Sequence, residues 1–254
     1  MSTASSTLPS NECHVWWIAS PVVPAGLEAV LDDRERLRHE RLRRPADQLS
    51  YLAAHVLTRL ALARYVGCDP AELQLGVRCR GCGSTDHGKP MLLHPEADVE
   101  FSLSHSGGRV AVAVARGASV GVDVEVIQPH RDYSDVAAHV LSSPERDELI
   151  ALPGGDRPFA FVRYWCRKEA VLKAVGFGLS LPPSDLTVTG PNEPARVLDW
   201  AGGPHGSGSL FLHDLDPGPG YAACVALADW GGNRVVEKDG ETLLRLTGRS
   251  PCRS

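Results

Sequence analysis

The 254-residue sequence predicts an α/β (α+β) fold in which helices and strands alternate in two blocks of similar make-up. Residues 49–67 repeat apolar side chains at helical spacing, whereas residues 99–126 alternate with a period of two, as short strands do. The composition, with 43% hydrophobic, 22% charged and 6% aromatic residues, is typical of a soluble globular protein. Together with a length that allows one large domain or two smaller ones, it excludes the disordered and fibrous classes.

Charge and cysteine content limit the classes of partner. Lysine and arginine number 26 against 31 aspartate and glutamate residues, so a net charge of −5 gives no basic surface for nucleic acid. No apolar stretch approaches the roughly 20 residues that span a bilayer, and the first residues lack the apolar run of a signal peptide. The seven cysteines are odd in number and irregularly spaced, which favours reduced thiols. We therefore expect a cytoplasmic protein without a nucleic-acid or membrane partner.

The first block is predicted to open with a strand at 13–20, followed by an arginine-rich segment at 31–44. Acidic residues interleave with these arginines, which favours a helix whose solvated face carries i,i+4 ion pairs. The apolar run 49–67 predicts a buried helix that ends at Gly67. Glycine-containing turns separate the next three strand runs and predict a meander of 99–105, 110–115 and 120–126.

The second block is predicted to contain three helices and then two strands. The helices lie near 134–141, after the Ser143–Pro144 start signal, and through 163–176. A Gly/Pro turn separates the closing strands, 209–215 and 221–228.

Two carboxylates on the run 120–126 form the first candidate site. Strand alternation sends the valines to one face and places Asp123 and Glu125 side by side on the other. Paired carboxylates suit a hard cation such as Mg²⁺, which takes oxygen ligands and retains water and a substrate phosphate. Taken alone, the pair is more typical of a solvated strand face.

The helix 163–176 carries the second candidate site on its polar arc. That arc contains Trp165, Lys168, Glu169, Lys173 and Gly176. A third carboxylate between two ammonium groups suits a metal plus a diphosphate, because the cations compensate the anionic ligand. The alternative is an ordinary amphipathic helix with a Glu169→Lys173 pair worth ~0.3–0.5 kcal/mol.

Two further groups of residues lie upstream. Hydroxyls and an imidazole at Ser102, Ser104 and His105, with Gly88-Lys89-Pro90 before them, are the usual components of a phosphate cradle, although each motif alone is more typical of a surface turn. Cys79 and Cys82 form a C-x-x-C with His87 nearby. A structural zinc site takes four ligands and no second pair supplies the rest, so the sequence favours a turn with two free thiols.

In this order and spacing the motifs resemble the Sfp-type 4′-phosphopantetheinyl transferase family. The segments that carry the resemblance are GKP at 88–90, FSLSHS at 101–106, GVDVE at 121–125 and WCRKEAVLKAVGFGLSLP at 165–182. The resemblance covers roughly residues 12–230 and implies a pseudo-twofold, two-lobed fold, each half a small, mostly antiparallel sheet with packed helices. We expect a disordered segment at 1–11, an N-terminal half at 12–120, a C-terminal half carrying the metal site at 121–247, and a flexible tail at 248–254. Because one chain supplies both halves, a monomer is expected.

The resemblance implies transfer of the 4′-phosphopantetheine arm of coenzyme A to a serine of apo carrier proteins, with release of 3′,5′-ADP. The acceptors are acyl and peptidyl carrier domains of polyketide, nonribosomal peptide or fatty acid synthases. The implied Mg²⁺ ligands are Asp123, Glu125 and Glu169, and Glu169 is also the implied general base. Lys173 and Lys168 are implied to stabilise the diphosphate. The residues implied to bind the 3′-phosphate, adenosine and adjoining phosphates are Lys89, Pro90, Ser104 and His105, the last also a catalytic candidate.

The sequence departs from the family pattern before the first long helix. Ser50 stands where relatives commonly place an arginine, so a bidentate phosphate contact is lost. Of two further basic positions upstream, one is Arg38 and the other is Glu35. We expect Arg38, or a neighbour such as Arg36, to substitute.

Two other classes of protein fit the sequence less well. A Mg²⁺-dependent nuclease needs an acid-x-Lys element, but the position after Glu125 that should be lysine is Ile127. A non-catalytic coenzyme A or carrier-binding protein would lose the metal acids, and all three are present.

Overall fold

The computed structural model describes residues 8–177, 180–204 and 206–247. The helices in these ranges are α1 (Asp33–Arg41), α2 (Pro45–Val66), α3 (Ser134–Val140), α4 (Ser143–Ala151), α5 (Arg157–Val175) and α6 (Gly240–Thr247). The strands are β1 (Glu12–Ile18), β2 (Gln74–Arg78), β3 (Lys89–His94), β4 (Glu100–Ser106), β5 (Arg109–Ala115), β6 (Ser119–Val126), β7 (Leu186–Val188), β8 (Val197–Trp200), β9 (Leu210–Asp214), β10 (Tyr221–Ala228) and β11 (Arg234–Asp239). The predicted class, an α+β fold of small, mostly antiparallel sheets with packed helices, is confirmed.

The first sheet has the strand order β11-β1-β5-β4, with only the β1–β11 pair parallel. Helix α2 packs across this sheet. It begins at Pro45, and Gly67, the residue after its last turn, provides the left-handed cap with a φ of 74°. Leu243 and Leu244 of α6 join the same core. The predicted C-terminal half, 121–247, therefore contributes its last strand and its last helix to the sheet of the other half.

The second sheet has the order β6-β10-β9, entirely antiparallel, and α5 packs against it. Helix and strand approach closely at Gly121, where an added Cβ would lie 2.1 Å from the Ala170 carbonyl oxygen. This contact sets α5 directly over β6, the strand that bears Asp123 and Glu125. Two smaller hairpins, β2–β3 and β7–β8, flank the two main sheets.

The two main sheets meet at β4 and β6 through serine side chains rather than a backbone ladder. The hydroxyls of Ser102, Ser104 and Ser106 accept hydrogen bonds from the backbone N–H groups of Val122, Val124 and Val126, at 3.1, 3.3 and 3.2 Å. The predicted meander therefore stops after the β4–β5 hairpin, because β6 pairs with β10 instead of β5.

The segment 1–11, expected to be disordered, is described from residue 8 onward. Leu8 is 1% exposed and its carbonyl accepts a hydrogen bond from Arg116, whereas residues 9–11 are exposed. The remainder of that segment, 1–7, and the predicted tail 248–254 lie outside the described residues, as do 178, 179 and 205. None of the helices in the described ranges has the length and apolar character to cross a bilayer.

Candidate active site

Asp123 is the most buried acid of the predicted metal set. It projects from β6 and is 3% exposed. Its Oδ1 accepts hydrogen bonds from the Lys173 ammonium at 2.7 Å and from the Ser104 hydroxyl at 2.9 Å. Its Oδ2 is buried and has no hydrogen-bond partner among the described residues. A carboxylate oxygen in that position is costly unless a ligand satisfies it.

Glu125 and Glu169 lie near enough to Asp123 for their charges to interact. Burial, and then the Asp123 charge, raises the pKa of Glu169. Burial also raises the pKa of Glu125, against the lowering effect of a 2.6 Å hydrogen bond from Ser106. Within the described part of the chain the three carboxylates do not all come within 4.8 Å of one another. They form an electrostatically coupled group rather than a closed cage.

Lys173 supplies the positive charge of the site. Its ammonium donates to Asp123, to the Val122 carbonyl at 3.1 Å and to Ser104 at 3.2 Å. Burial acts to lower the pKa of Lys173, but Asp123 and then Glu169 raise it above its ordinary value. The side chain therefore stays protonated between the two elements, α5 and β6.

Trp165 lies one turn before Glu169 on α5 and packs against the core of the second sheet. Its indole lies beside the Glu125 carboxylate and acts to lower the pKa of that acid. Trp165 therefore orients one of the predicted metal ligands, a contact that the sequence did not reveal.

The structure corrects the placement of Lys168. Its side chain is 0% exposed and pairs with the Glu145 carboxylate of α4 at 2.6 Å. The same ammonium donates to the carbonyls of Val140, Pro183 and Leu186, so its donors are used within the second half. Successive helical residues differ by about 100° around the axis, so Lys168 leaves α5 in a different direction from Glu169. The structure therefore does not bring Lys168 to the group formed by Asp123, Glu125 and Glu169.

Lys89 is also placed differently from expectation. Its ammonium lies 2.8 Å from the Glu100 carboxylate and donates to Ser119 at 2.5 Å and to the Ala174 carbonyl at 3.1 Å. The ammonium group thus links β3 to β4, β6 and α5. These three contacts occupy its N–H donors, so none is left for a phosphate. Ser104 is likewise committed to the junction between β4 and β6.

A cavity of about 440 Å³ opens between α1, α2 and the first sheet. Its lining includes Arg34, Arg38, Tyr51, His55, Pro90 and His105. Burial, and then the charge of His55, lowers the pKa of His105. The structure thus brings three predicted residues, Arg38, Pro90 and His105, to one cavity.

Other residues in or near this cavity differ from what the sequence led us to expect. Arg34 was expected only as one of the arginines of the segment 31–44 and was not singled out, although its i,i+4 spacing from Arg38 places both on one helical face. Arg36 instead pairs with Asp33 at 3.1 Å. Ser50 is buried and is absent from the lining. Glu35 accepts from Arg59 at 2.7 Å and lies 2.9 Å from His55, so it holds α1 against α2.

A second cavity, of about 930 Å³, extends from Lys173 toward the β2–β3 loop. Its walls include Pro90, Leu103, Phe177 and Leu181 together with Cys79 and Cys82. Lys173, which pairs with Asp123, thus connects the candidate acids to this larger, more apolar cavity.

The sequence is similar to those of known proteins. The model of the 4′-phosphopantetheinyl transferase superfamily matches residues 119–226. The chain is 30% identical to 4′-phosphopantetheinyl transferase HetI of Nostoc sp. over 231 residues, covering 89% of this chain and 91% of that protein. It is 32% identical over 174 residues to a putative 4′-phosphopantetheinyl transferase of Synechocystis sp., covering 68% of each. It is 26% identical over 200 residues to 4′-phosphopantetheinyl transferase Sfp of Bacillus subtilis, covering 78% of this chain and 83% of that one.

The chain therefore belongs to the 4′-phosphopantetheinyl transferase superfamily, as its motifs predicted. It is a transferase whose substrates are coenzyme A and carrier proteins. The alternative of a non-catalytic coenzyme A or carrier-binding protein is not favoured.

Proposed function

We propose that this transferase depends on Mg²⁺, held by Asp123, Glu125 and Glu169. The observation that carries the proposal is the buried, unpartnered Oδ2 of Asp123 beside two further carboxylates. Carboxylate oxygens are the ligands that Mg²⁺ prefers. A divalent charge would offset the burial, and the repulsion from Asp123, that raise the pKa values of Glu125 and Glu169. When bound, the cation would neutralise negative charge on the diphosphate of coenzyme A.

The reaction joins the Oγ of a carrier serine to the phosphorus that bears the pantetheine arm. The bond from that phosphorus to the bridging oxygen breaks, and 3′,5′-ADP leaves with its electron pair. We assign Glu169 to receive the serine proton, because a carboxylate beside the reacting phosphate is the group of this site that can act as a general base. Lys173, fixed by Asp123, stabilises the charge that develops on the 5′-phosphate of the departing 3′,5′-ADP.

We assign the 3′-phosphoadenosine of coenzyme A to the cavity of about 440 Å³. Arg34 and Arg38 project into it from one face of α1, and His55 and His105 line its other side. Guanidinium groups bind phosphates through paired N–H donors, so these two arginines compensate for the arginine that Ser50 replaces. The test is the variant Arg34→Gln/Arg38→Gln, for which we expect a raised KM for coenzyme A and an unchanged KM for the carrier. An unchanged KM for coenzyme A would contradict the assignment.

The metal proposal is tested by intact mass spectrometry of an apo carrier protein incubated with the enzyme, coenzyme A and Mg²⁺. We expect a gain of one phosphopantetheine per carrier, abolished by a chelator and by Asp123→Asn. Asp199→Asn is the matched control, because Asp199 is exposed on β8 away from the acids. Undiminished transfer after chelation would refute metal dependence.

The role of Glu169 needs its own variant. For Glu169→Gln we expect a loss of turnover of about 10²–10⁴-fold, with coenzyme A binding partly retained. Turnover is followed as carrier modification, and binding by calorimetry. Near-normal turnover would remove Glu169 from the mechanism.

We also propose a monomeric enzyme in a reducing, cytoplasmic compartment. One chain supplies both main sheets and both cavities, and six described cysteines are free thiols. Light scattering after size exclusion should give the mass of one chain, and a dimer mass would contradict the proposed monomer.

A further inference from the structure

The loop between β2 and β3 gathers three soft ligands at one point. One potential ligand atom from each of Cys79, Cys82 and His87 lies within 4.8 Å of the other two. The Cys82 Sγ is 3.4 Å from the His87 Nε2. In the described ranges no other group of three cysteine, histidine or acidic side chains converges in this way.

The backbone of the loop is folded to bring these atoms together. The Gly83 N–H donates to the Cys79 carbonyl at 2.8 Å, and the Cys79 N–H donates to the Ser84 carbonyl at 2.9 Å. Gly83 has a φ of 74°, and the Cys79 thiol receives a backbone hydrogen bond from Cys82. Tight turns with N–H groups directed at sulfur stabilise metal-bound thiolates.

Gly88 then returns the chain to the stem of the hairpin. An added Cβ would lie 2.3 Å from backbone atoms of Arg78 and Cys79, and φ is +125°, so the position requires glycine. This close approach brings His87, the residue before it, back toward the two cysteines. The three side chains therefore converge because of the loop geometry.

We propose that this loop binds a zinc ion through Cys79, Cys82 and His87, with the fourth position open to water. Two thiolates and one imidazole match the ligand preference of Zn²⁺, and sites with three protein ligands and one open position are well known. The missing fourth ligand, which favoured free thiols in the sequence, therefore does not exclude a metal.

The position of the loop suggests what the ion would stabilise. The Arg80 N–H donates to the Gly176 carbonyl at 3.2 Å, directly after α5, and Gly81 packs near Phe177 and Ser180. His87 lines both cavities, and Gly88 and Pro90 follow it. Zinc would therefore fix the hairpin against the end of α5 and hold the shared wall of the two cavities.

Metal content of the purified chain tests the proposal directly. Protein prepared with a reductant and no chelator should contain one zinc per chain by plasma mass spectrometry. We expect Cys82→Ser and His87→Asn to lose most of it, and Cys68→Ser, which changes a thiol outside the cluster, to retain it. Cobalt substitution should give the intense visible bands of a tetrahedral thiolate site, lost in the same two variants.

Two results would overturn the zinc site. One is a chain without zinc that does not take up added Zn²⁺ or Co²⁺ when its thiols are reduced. The other is zinc retained in full by Cys82→Ser. A Cys79–Cys82 disulfide would also count against the zinc site, because its thiols could not bind the ion. It would be seen as a loss of two hydrogens in the intact mass of protein freshly prepared in reducing buffer.

The effect on activity rests on the proposed function, and its failure is distinguishable from failure of the metal site. We expect His87→Asn to raise the KM for coenzyme A several-fold with a smaller change in kcat. Asp123→Asn should lose transfer and keep its zinc. Zinc bound without any effect on KM would leave the site intact and overturn only its role in holding the cavity wall.

Discussion

Lys168 and Lys173 lie on the same helix, yet their ammonium groups pair with acids at different places in the molecule. Lys173 reaches Asp123 at the candidate site, whereas Lys168 pairs with Glu145 inside the second half. Strand alternation placed Asp123 and Glu125 on one face, and helical periodicity placed Lys168, Glu169 and Lys173 on one arc. The family resemblance then implied that these two sets form one site. These patterns could not predict which of two neighbouring lysines meets a buried acid on another helix.

Replacing Lys168 by methionine tests its structural role. Loss of the ammonium leaves the Glu145 carboxylate buried without its partner, so we expect the free energy of unfolding to fall by about 3–5 kcal/mol, measured with urea. The double variant Lys168→Met/Glu145→Gln should recover part of the loss. Normal stability combined with loss of coenzyme A binding would return Lys168 to the active site.

Glu35 gives a prediction that depends on pH. Burial acts to raise its pKa, but the hydrogen bond with His55 and the charges of His55 and Arg59 lower it below the ordinary value of 4.5. Because the pKa of Glu35 is lower in the folded protein, its ionised carboxylate stabilises the fold at pH values above 4.5. This stabilisation is lost as the pH falls through the folded-state pKa. Glu35→Gln should therefore cost about 3 kcal/mol at neutral pH and less in acid.

The unmodified protein and Glu35→Gln are compared by urea unfolding at neutral pH and at the lowest pH at which both remain folded. Asp33→Asn is the matched control, since Asp33 is exposed at the start of the same helix and pairs only with Arg36 among the contacts described for it. A stability difference that grows as pH falls would be the opposite of the expected sign.

At the scale of elements, the long helices and the hairpins were the predictable parts. Apolar periodicity and terminal glycines located α2 and the end of α5, because these signals are local. The sequence did not indicate β11, whose residues are exposed or half-buried and carry four charges in RVVEKD. Nor could it show that β6 leaves the first sheet, since that choice depends on Ser102, Ser104 and Ser106 of another strand.

The serine contacts between β4 and β6 can be tested at Ser102, which is not part of the proposed site. Ser102→Ala leaves the buried Val122 N–H without its acceptor, so we expect a loss of about 1–3 kcal/mol of unfolding free energy. Ser10→Ala, at an exposed position, should change stability little. Equal stability of the two variants would mean that the valine N–H finds another partner and that the serines do not hold the sheets together.

At the scale of the whole molecule, the last strand of the chain returns to the sheet that contains the first. It leaves the first sheet after β5, builds the second sheet, and returns as β11 to pair with β1. The core of Val15, Ala113, Val122 and Val225 joins the two sheets, and the proposed acids lie where they meet. The coenzyme A cavity and the acids therefore keep their relative positions only while both halves are folded.

This closure predicts that the two halves unfold together, and Leu244 on α6 tests it. Leu244 is 2% exposed in the core of the first sheet, whereas Leu246 on the same helix is 65% exposed. Leu244→Ala should cost about 2–5 kcal/mol and Leu246→Ala much less, because only the first leaves a cavity. We expect Leu244→Ala to shift one cooperative transition, with circular dichroism and tryptophan fluorescence coinciding, since Trp16 and Trp200 report on opposite halves. Two separate transitions, with the second half still folded after the first has melted, would show that the returning strand does not couple them.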